Sequence, residues 1–256
     1  MTIDLVSFAL YDDPYSVIER TDHSIEIINN SSADIILFPG YTLYSSIEFK
    51  KILKKWKNRH SLVLLEIGDG TPRYQDRYYS IISNSKFLKN SLTQQFVDSK
   101  EVNSNKSLMA GFINVLNKER QIRLRKKDIL LLICGELNFL KNEQANNNKV
   151  SVRTNDARLD REYLSLINKT NIFLNPQHTP MGNQGKLKKR REYLSSDGKC
   201  YCSTTNLIPG KFNIDENTGK FKKNILQYCY FNGIPVEGEI INVDESQLHK
   251  RYTINF

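Results

Sequence analysis

The sequence is poor in the residues that build metal sites, disulfide frameworks and membrane spans. Cysteine occurs four times, at Cys134, Cys200, Cys202 and Cys229, with no C-x-x-C pair. That is too few and too irregular for a disulfide framework, and reduced thiols are expected. Histidine also occurs four times, each alone, at His23, His60, His178 and His249. No spacing suggests a zinc site, and neither a metal nor a cofactor is expected. No apolar run approaches the roughly 20 residues that cross a bilayer. The opening "MTIDLVSFALYDD" lacks the basic stretch and cleavage site of a signal peptide and reads as a first strand. These absences exclude a membrane protein and point to the cytoplasm.

Acid is the scarcer charge. Against 28 Asp and Glu stand 37 Lys and Arg, a net charge of +9. Such a chain attracts polyanions, nucleic acid among them. The excess is concentrated in "KKILKKWKNR", "KERQIRLRKK" and "KLKKRRE". Abundant Lys, Asn and Ile also follow from codon usage in an A- and T-rich genome, and aromatic and basic residues do not interleave as in RNA-binding motifs. Nucleic acid is therefore not the favoured partner. With 256 residues, 39% of them hydrophobic and 25% charged, the chain can bury a sizeable core, and it reads as one domain over residues 1–256.

What is plentiful is a succession of short apolar runs: "IDLVSFAL", "ADIILFPG", "SLVLLEIGD", "YYSIISN", "DILLLIC", "TNIFLNP" and "KCYCSTTN". Runs of this length, rich in Ile, Leu, Val and Tyr, predict strands. Helical patterns separate several of them. The clearest starts at Ser45, where "SSIE" makes a capping box with Glu48 and is followed by Phe49, Ile52, Leu53 and Trp56 at helical spacing, its lysines on the other face. Strands separated by helices predict an α/β or layered α+β fold, and the hairpin-like succession from Ser61 to Asn84 predicts some antiparallel pairing in a mixed sheet. Residues 141–160 and "IPGKFNIDENTGKF" read as exposed loops. Cys200 and Cys202 alternate around Tyr201 and so share one strand face, in the core.

The run "KKDILLLICGELNFL" ends its strand abruptly in Cys134-Gly135-Glu136. Gly135 permits a tight turn, and a helix opening there would set positive charge against the cysteine. Taken alone, the pattern fits either a nucleophile on a strand-to-helix elbow or a small apolar residue closing a buried strand.

The order of these motifs resembles the carbon–nitrogen hydrolase (nitrilase) superfamily. The resemblance rests on "ADIILFPG", "LLLICGEL", "TNIFLNP" and "RREYLSSDGKCYCSTTN" and spans most of the chain. It implies a four-layer α-β-β-α sandwich, a homodimer, and a Cys134 thiolate that attacks a small amide or nitrile substrate and passes through a thioester. In the family a Phe-Pro-Glu strand end supplies the base, and a later lysine holds the oxyanion.

This chain departs from that pattern at two places. Phe-Pro-Glu is replaced by Phe38-Pro39-Gly40, and Thr93, Gln94 or Gln95 stands where the lysine is expected. One reading keeps the enzyme with Cys134, Glu136 as acid/base and His178 in "NPQHTPMG" as a group that titrates near neutrality. Gly40 leaves space for a ligand beside Tyr41, Gln94 lies in the lysine-bearing stretch, and Arg190 or Arg191 clamps an anionic group. The other reading keeps the fold and loses the chemistry. It leaves a binding or regulatory module for a partner protein or nucleic acid.

Overall fold

The structure, a computed structural model, describes residues 1–10, 14–70, 76–143, 146–147, 149–154, 156–180, 184–207, 226–243 and 246–256. The first half of the chain runs β1 (Thr2–Phe8), α1 (Pro14–Asn30), β2 (Ile35–Leu37), α2 (Ser46–Lys55), β3 (Leu62–Ile67), β4 (Tyr78–Ser83) and β5 (Lys86–Leu92). Then come α3 (Ser99–Ser104), α4 (Lys106–Lys118), β6 (Gln121–Leu124), β7 (Lys127–Leu131), a short 3₁₀ helix (Cys134–Phe139), β8 (Leu140–Glu143) and β9 (Lys149–Val152). The last part holds α5 (Ala157–Lys169), β10 (Ile172–Pro176), α6 (Gln184–Leu194), β11 (Cys200–Thr204), β12 (Gln227–Phe231), β13 (Ile234–Pro235), β14 (Glu239–Val243) and β15 (Gln247–Thr253).

Two mixed sheets result. One has seven strands in the order β14-β15-β1-β2-β3-β4-β5, the other six in the order β13-β12-β11-β10-β7-β6. Parallel pairs β1/β2 and β2/β3 sit at the heart of the first, and β7/β10 and β10/β11 at the heart of the second. The expected hairpin from Ser61 to Asn84 is the antiparallel pair β3/β4. A fully buried sheet needs strands apolar on both faces, and β2, β3 and β10 are buried at every position.

Alternation sorts these side chains into three cores. Ile3, Leu5, Leu37, Leu64 and Ile81 of the first sheet meet Leu131, Leu174 and Cys202 of the second in one cluster between the sheets. Val6, Ile36, Val63 and Leu65 point the other way, onto Ile28, Phe49 and Ile52 of α1 and α2. Leu130, Phe173 and Tyr201 pack outward on Phe112, Tyr163 and Leu187 of α4, α5 and α6. The architecture is thus the expected α-β-β-α sandwich. Burial of each large apolar side chain contributes about 1.5–3 kcal/mol.

The capping box forms as read: Ser45 accepts from the Ile47 amide at 3.1 Å and Glu48 accepts from the Ser45 amide at 2.8 Å. Lys50, Lys51, Lys54 and Lys55 are exposed, so the first basic cluster is the wet face of α2. The described part of residues 141–160 is more than an exposed loop: it contains most of the antiparallel pair β8/β9 and the start of α5, which Asp156 caps by accepting from Arg158 and Leu159. Their polarity reflects a two-stranded ribbon wet on one side, which hydropathy does not separate from a loop. The second expected loop, residues 208–221, lies outside the described residues. No helix among the described residues is long and apolar enough to cross a membrane.

Candidate active site

Both parallel strand pairs that face each other across the sandwich end at one cleft of about 830 Å³, lined by Tyr41, Glu66, Arg77, Tyr79, Gln94, Cys134 and His178 among others. Its floor is built from strand ends: β3 supplies Glu66, β4 supplies Tyr79, and the turns after β7 and β10 supply Cys134 and His178.

Cys134 is half-buried and opens the 3₁₀ helix with φ of 44°. A non-glycine residue in the left-handed region is strained, and such residues gather at functional sites. The elbow is held from two sides. Asn175, fully buried at the end of β10, donates to the carbonyls of Leu132 at 2.8 Å and Cys134 at 3.2 Å, while Tyr201 and Gln177 donate to its own side-chain oxygen. On the other side Gly135 lies so close to the Val97 backbone that an added Cβ would stand 2.6 Å from its carbonyl carbon.

The His178 ring reaches back across the cleft. Its Nε2 lies 2.7 Å from Glu66 Oε1, and Cys134 lines the same cleft. Burial opposes the charged ring, but the Glu66 carboxylate and the nearby Cys134 prevail and hold the His178 pKa well above its usual 6.5. Glu66 is itself 2% exposed. Burial would raise its pKa, yet His178, Arg77 and the Tyr41 amide together hold it below the usual value. Arg77 lies 3.3 Å from its Oε2, and the Tyr41 amide donates to the same oxygen at 2.6 Å. A carboxylate, an imidazole and a thiol therefore share one cleft, with the carboxylate held by His178, Arg77 and the Tyr41 amide.

Gly40 explains how the histidine fits. An added Cβ would stand 2.8 Å from His178 Cγ and 2.9 Å from its Cα, so the ring occupies the volume that a side chain at position 40 would fill. The Gly40 amide also donates to the Gln177 carbonyl at 2.9 Å, tying the two turns together. Tyr41, with φ of 59°, packs its ring 4.6 Å from the His178 ring and receives the Arg77 guanidinium on its face at 4.3 Å.

Of the residues singled out in the sequence, Cys134, His178, Tyr41 and Gln94 line the cleft and Gly40 shapes it. Glu136 does not line it. Its fully buried carboxylate lies 3.3 Å from Arg120 and accepts from the amides of Ile133 at 2.7 Å and Gln95 at 2.8 Å. It braces the elbow and has no open path to a substrate. Arg190 and Arg191 are likewise elsewhere. Arg190 donates to Asn138 and Asn142, and Arg191 lies 3.6 Å from the Tyr228 ring centre and donates to Gln184. Both are held on α6, and neither lines the cleft.

Glu66 and Arg77 were not singled out. The signal for Glu66 was a lone carboxylate inside "SLVLLEIGD", since a charge in a buried strand demands a partner. Among the described residues one group could in principle hold a metal, the thiols of Cys200, Cys202 and Cys229, whose sulfurs lie 3.5 and 3.4 Å apart in sequence. They pack among Ile3, Leu5 and Tyr252 between the sheets; burial raises the Cys202 thiol well above its usual value, while hydrogen bonding with Cys202 and Cys229 lowers that of Cys200 to about 5. Cys200 and Cys202 lie in the core, as their alternation around Tyr201 predicts.

No protein-family model matches the sequence, and no curated protein does. Solved structures do match in shape. An amidase from Nesterenkonia sp. AN1, a mutant carrying the acetamide moiety of fluoroacetamide on its active-site cysteine, superposes with a TM-score of 0.53 at 13% identity, over 98% of this chain and 90% of that one. A carbon–nitrogen hydrolase from Helicobacter pylori G27 gives 0.54 at 9%, over 98% and 88%. A CN-hydrolase superfamily protein from Xanthomonas campestris with an arsenic adduct in its active site gives 0.52 at 10%, over 99% and 90%. The sandwich described above has the fold of these carbon–nitrogen hydrolases.

Proposed function

We propose that the chain is a cysteine-dependent hydrolase of amide-type carbon–nitrogen bonds in which His178, oriented by Glu66, does the proton transfer. The observation that supports this is the buried Glu66 carboxylate 2.7 Å from His178 Nε2, in a cleft that His178 and Cys134 both line. A nucleophile with a base in reach, and that base held by a third group, is the arrangement covalent catalysis needs. The loss of a glutamate at position 40 is then no loss of function, because the room it vacates holds a histidine.

The chemistry follows from the protonation states. The Glu66 carboxylate holds the His178 pKa well above its usual 6.5, and a protonated ring beside a cysteine is the setting in which thiols in general react as thiolates. The thiolate forms a bond to the carbonyl carbon, and the carbonyl pair moves to oxygen. Collapse of this intermediate expels the amine, which takes its proton from His178 and leaves a thioester and a neutral ring. Water then attacks the thioester, gives its proton to His178, and the acid departs with the thiolate restored. The neighbouring amidase with an acetamide moiety on its cysteine supports small amides as the first substrates to try.

The test is ammonia release from a panel of short aliphatic amides, with intact-mass detection of an acyl group on Cys134. His178→Ala should lower the rate by about 10²–10⁴-fold, the usual worth of acid–base help, and Cys134→Ala should abolish the adduct. An adduct that survives Cys134→Ala would end the proposal.

A further inference from the structure

Attack on a carbonyl creates an oxyanion, and a donor must already point at it. In the cleft Arg77 is paired with Glu66 and stacked on Tyr41, and Gln94 gives its side-chain amide to the Phe96 carbonyl at 2.7 Å. Tyr79 is 1% exposed and lines the cleft, yet its hydroxyl has no hydrogen-bonding partner among the described residues. A buried hydroxyl left unsatisfied destabilises the resting protein, and such exceptions call for an explanation.

Its position supplies one. The β3/β4 register sets Tyr79 directly opposite Glu66, so both side chains leave the same face of the sheet. Tyr79 belongs to the cluster between the sheets, against which Cys134 also packs.

We propose that Tyr79 is a further catalytic residue, whose phenol donates the hydrogen bond that receives the carbonyl oxygen as negative charge develops on it. This rests on the reading of Cys134 as the nucleophile. In the step, the sulfur–carbon bond forms, the carbonyl pair moves to oxygen, and the phenolic proton stays on Tyr79. When the pair returns and the amine leaves with the proton of His178, the phenol is unchanged. Burial first, then the nearby acidic groups, keep the Tyr79 pKa well above 10, so it remains a donor throughout the working range. The unpartnered hydroxyl of the resting protein is then a donor held ready for the transition state, at no reorganisation when charge appears.

The experiment compares two reagents on the full chain, wild type, Tyr79→Phe and Cys134→Ala. p-Nitrophenyl acetate acylates through an oxyanion, whereas iodoacetamide alkylates by displacing iodide from a saturated carbon and forms none. Tyr79→Phe should slow acylation of Cys134 by about 10²–10³-fold, the typical worth of one oxyanion donor, and leave the alkylation rate and its pH midpoint unchanged. Because phenylalanine keeps the ring and removes an unsatisfied hydroxyl, its thermal midpoint should not fall. Unchanged acylation in Tyr79→Phe overturns the role of the tyrosine while Cys134 stands, as does an equal fall in both reactions. A wild-type chain in which neither reagent marks Cys134 overturns both readings together.

Discussion

Gly40 and His178 form one unit: the ring can reach Glu66 and Cys134 only while position 40 has no side chain. Gly40→Ala should therefore displace the ring, and the expected result is a folded protein whose Cys134 reacts with iodoacetamide more slowly at neutral pH. Glu66→Gln tests the other end. The carboxylate raises the His178 pKa, so its removal should lower the value seen by proton NMR titration and slow alkylation near neutrality. The signs for stability run in opposite senses. His178, raised in the folded state, contributes stability present below about 6.5 and lost as pH rises through its folded value. Glu66, lowered, contributes stability present above about 4.5 and lost as pH falls. The site was half legible at this scale. Cys134 announces itself by the glycine and the abrupt end of its strand, but the partnership of Glu66 with His178 spans 112 positions and is created by the packing of two sheets. No local pattern encodes that.

Among the elements, the elbow after β7 depends on a buried ion pair. Glu136 and Arg120 are both fully buried, and Arg120 also donates to the Thr93 carbonyl. Glu136→Ala would strand Arg120 in an apolar setting and free the amides of Ile133 and Gln95, at a cost of about 3–5 kcal/mol, read as a lowered urea midpoint. A loss of alkylation in step with unfolding would mark Glu136 as a brace. At α2 the capping box is on the surface, and Ser45→Ala should cost only about 1 kcal/mol. The strands and α2 were legible because each carries its own periodicity and turn residues. The β8/β9 ribbon and the buried positions of Arg190 and Arg191 were not, since a polar strand resembles a loop and an arginine inside a basic run gives no sign that it points inward.

Across the whole molecule, the layers could be read from strands alternating with helices, and the superfamily fold agrees with them. The joining of the first and last strands could not. There Asp4 is fully buried, lies 3.0 Å from His249, accepts from Arg251 at 2.8 and 2.9 Å and from Ser31 at 2.6 Å. Burial would raise its pKa, but these partners lower it from 3.8 to about 2. A lowered carboxylate contributes stability above its unfolded value that disappears as pH falls through the folded one. Asp4 should thus account for about 2 kcal/mol lost between roughly pH 4 and pH 2. Acid titration of the unfolding free energy should show a shallower fall over that range in Asp4→Asn.

The same junction bears on how the protein is made. β1 lies inside its sheet, between β2 and β15, and its partners in β15 follow it by about 240 to 250 positions. Chains emerge from the ribosome amino end first. Until β15 has been made, β1 therefore has one open edge, and the Asp4 carboxylate waits without His249 and Arg251. The nascent chain cannot close this sheet early, whatever its intervening strands have done. β1 must stay solvated, or be shielded by a chaperone, until β15 arrives.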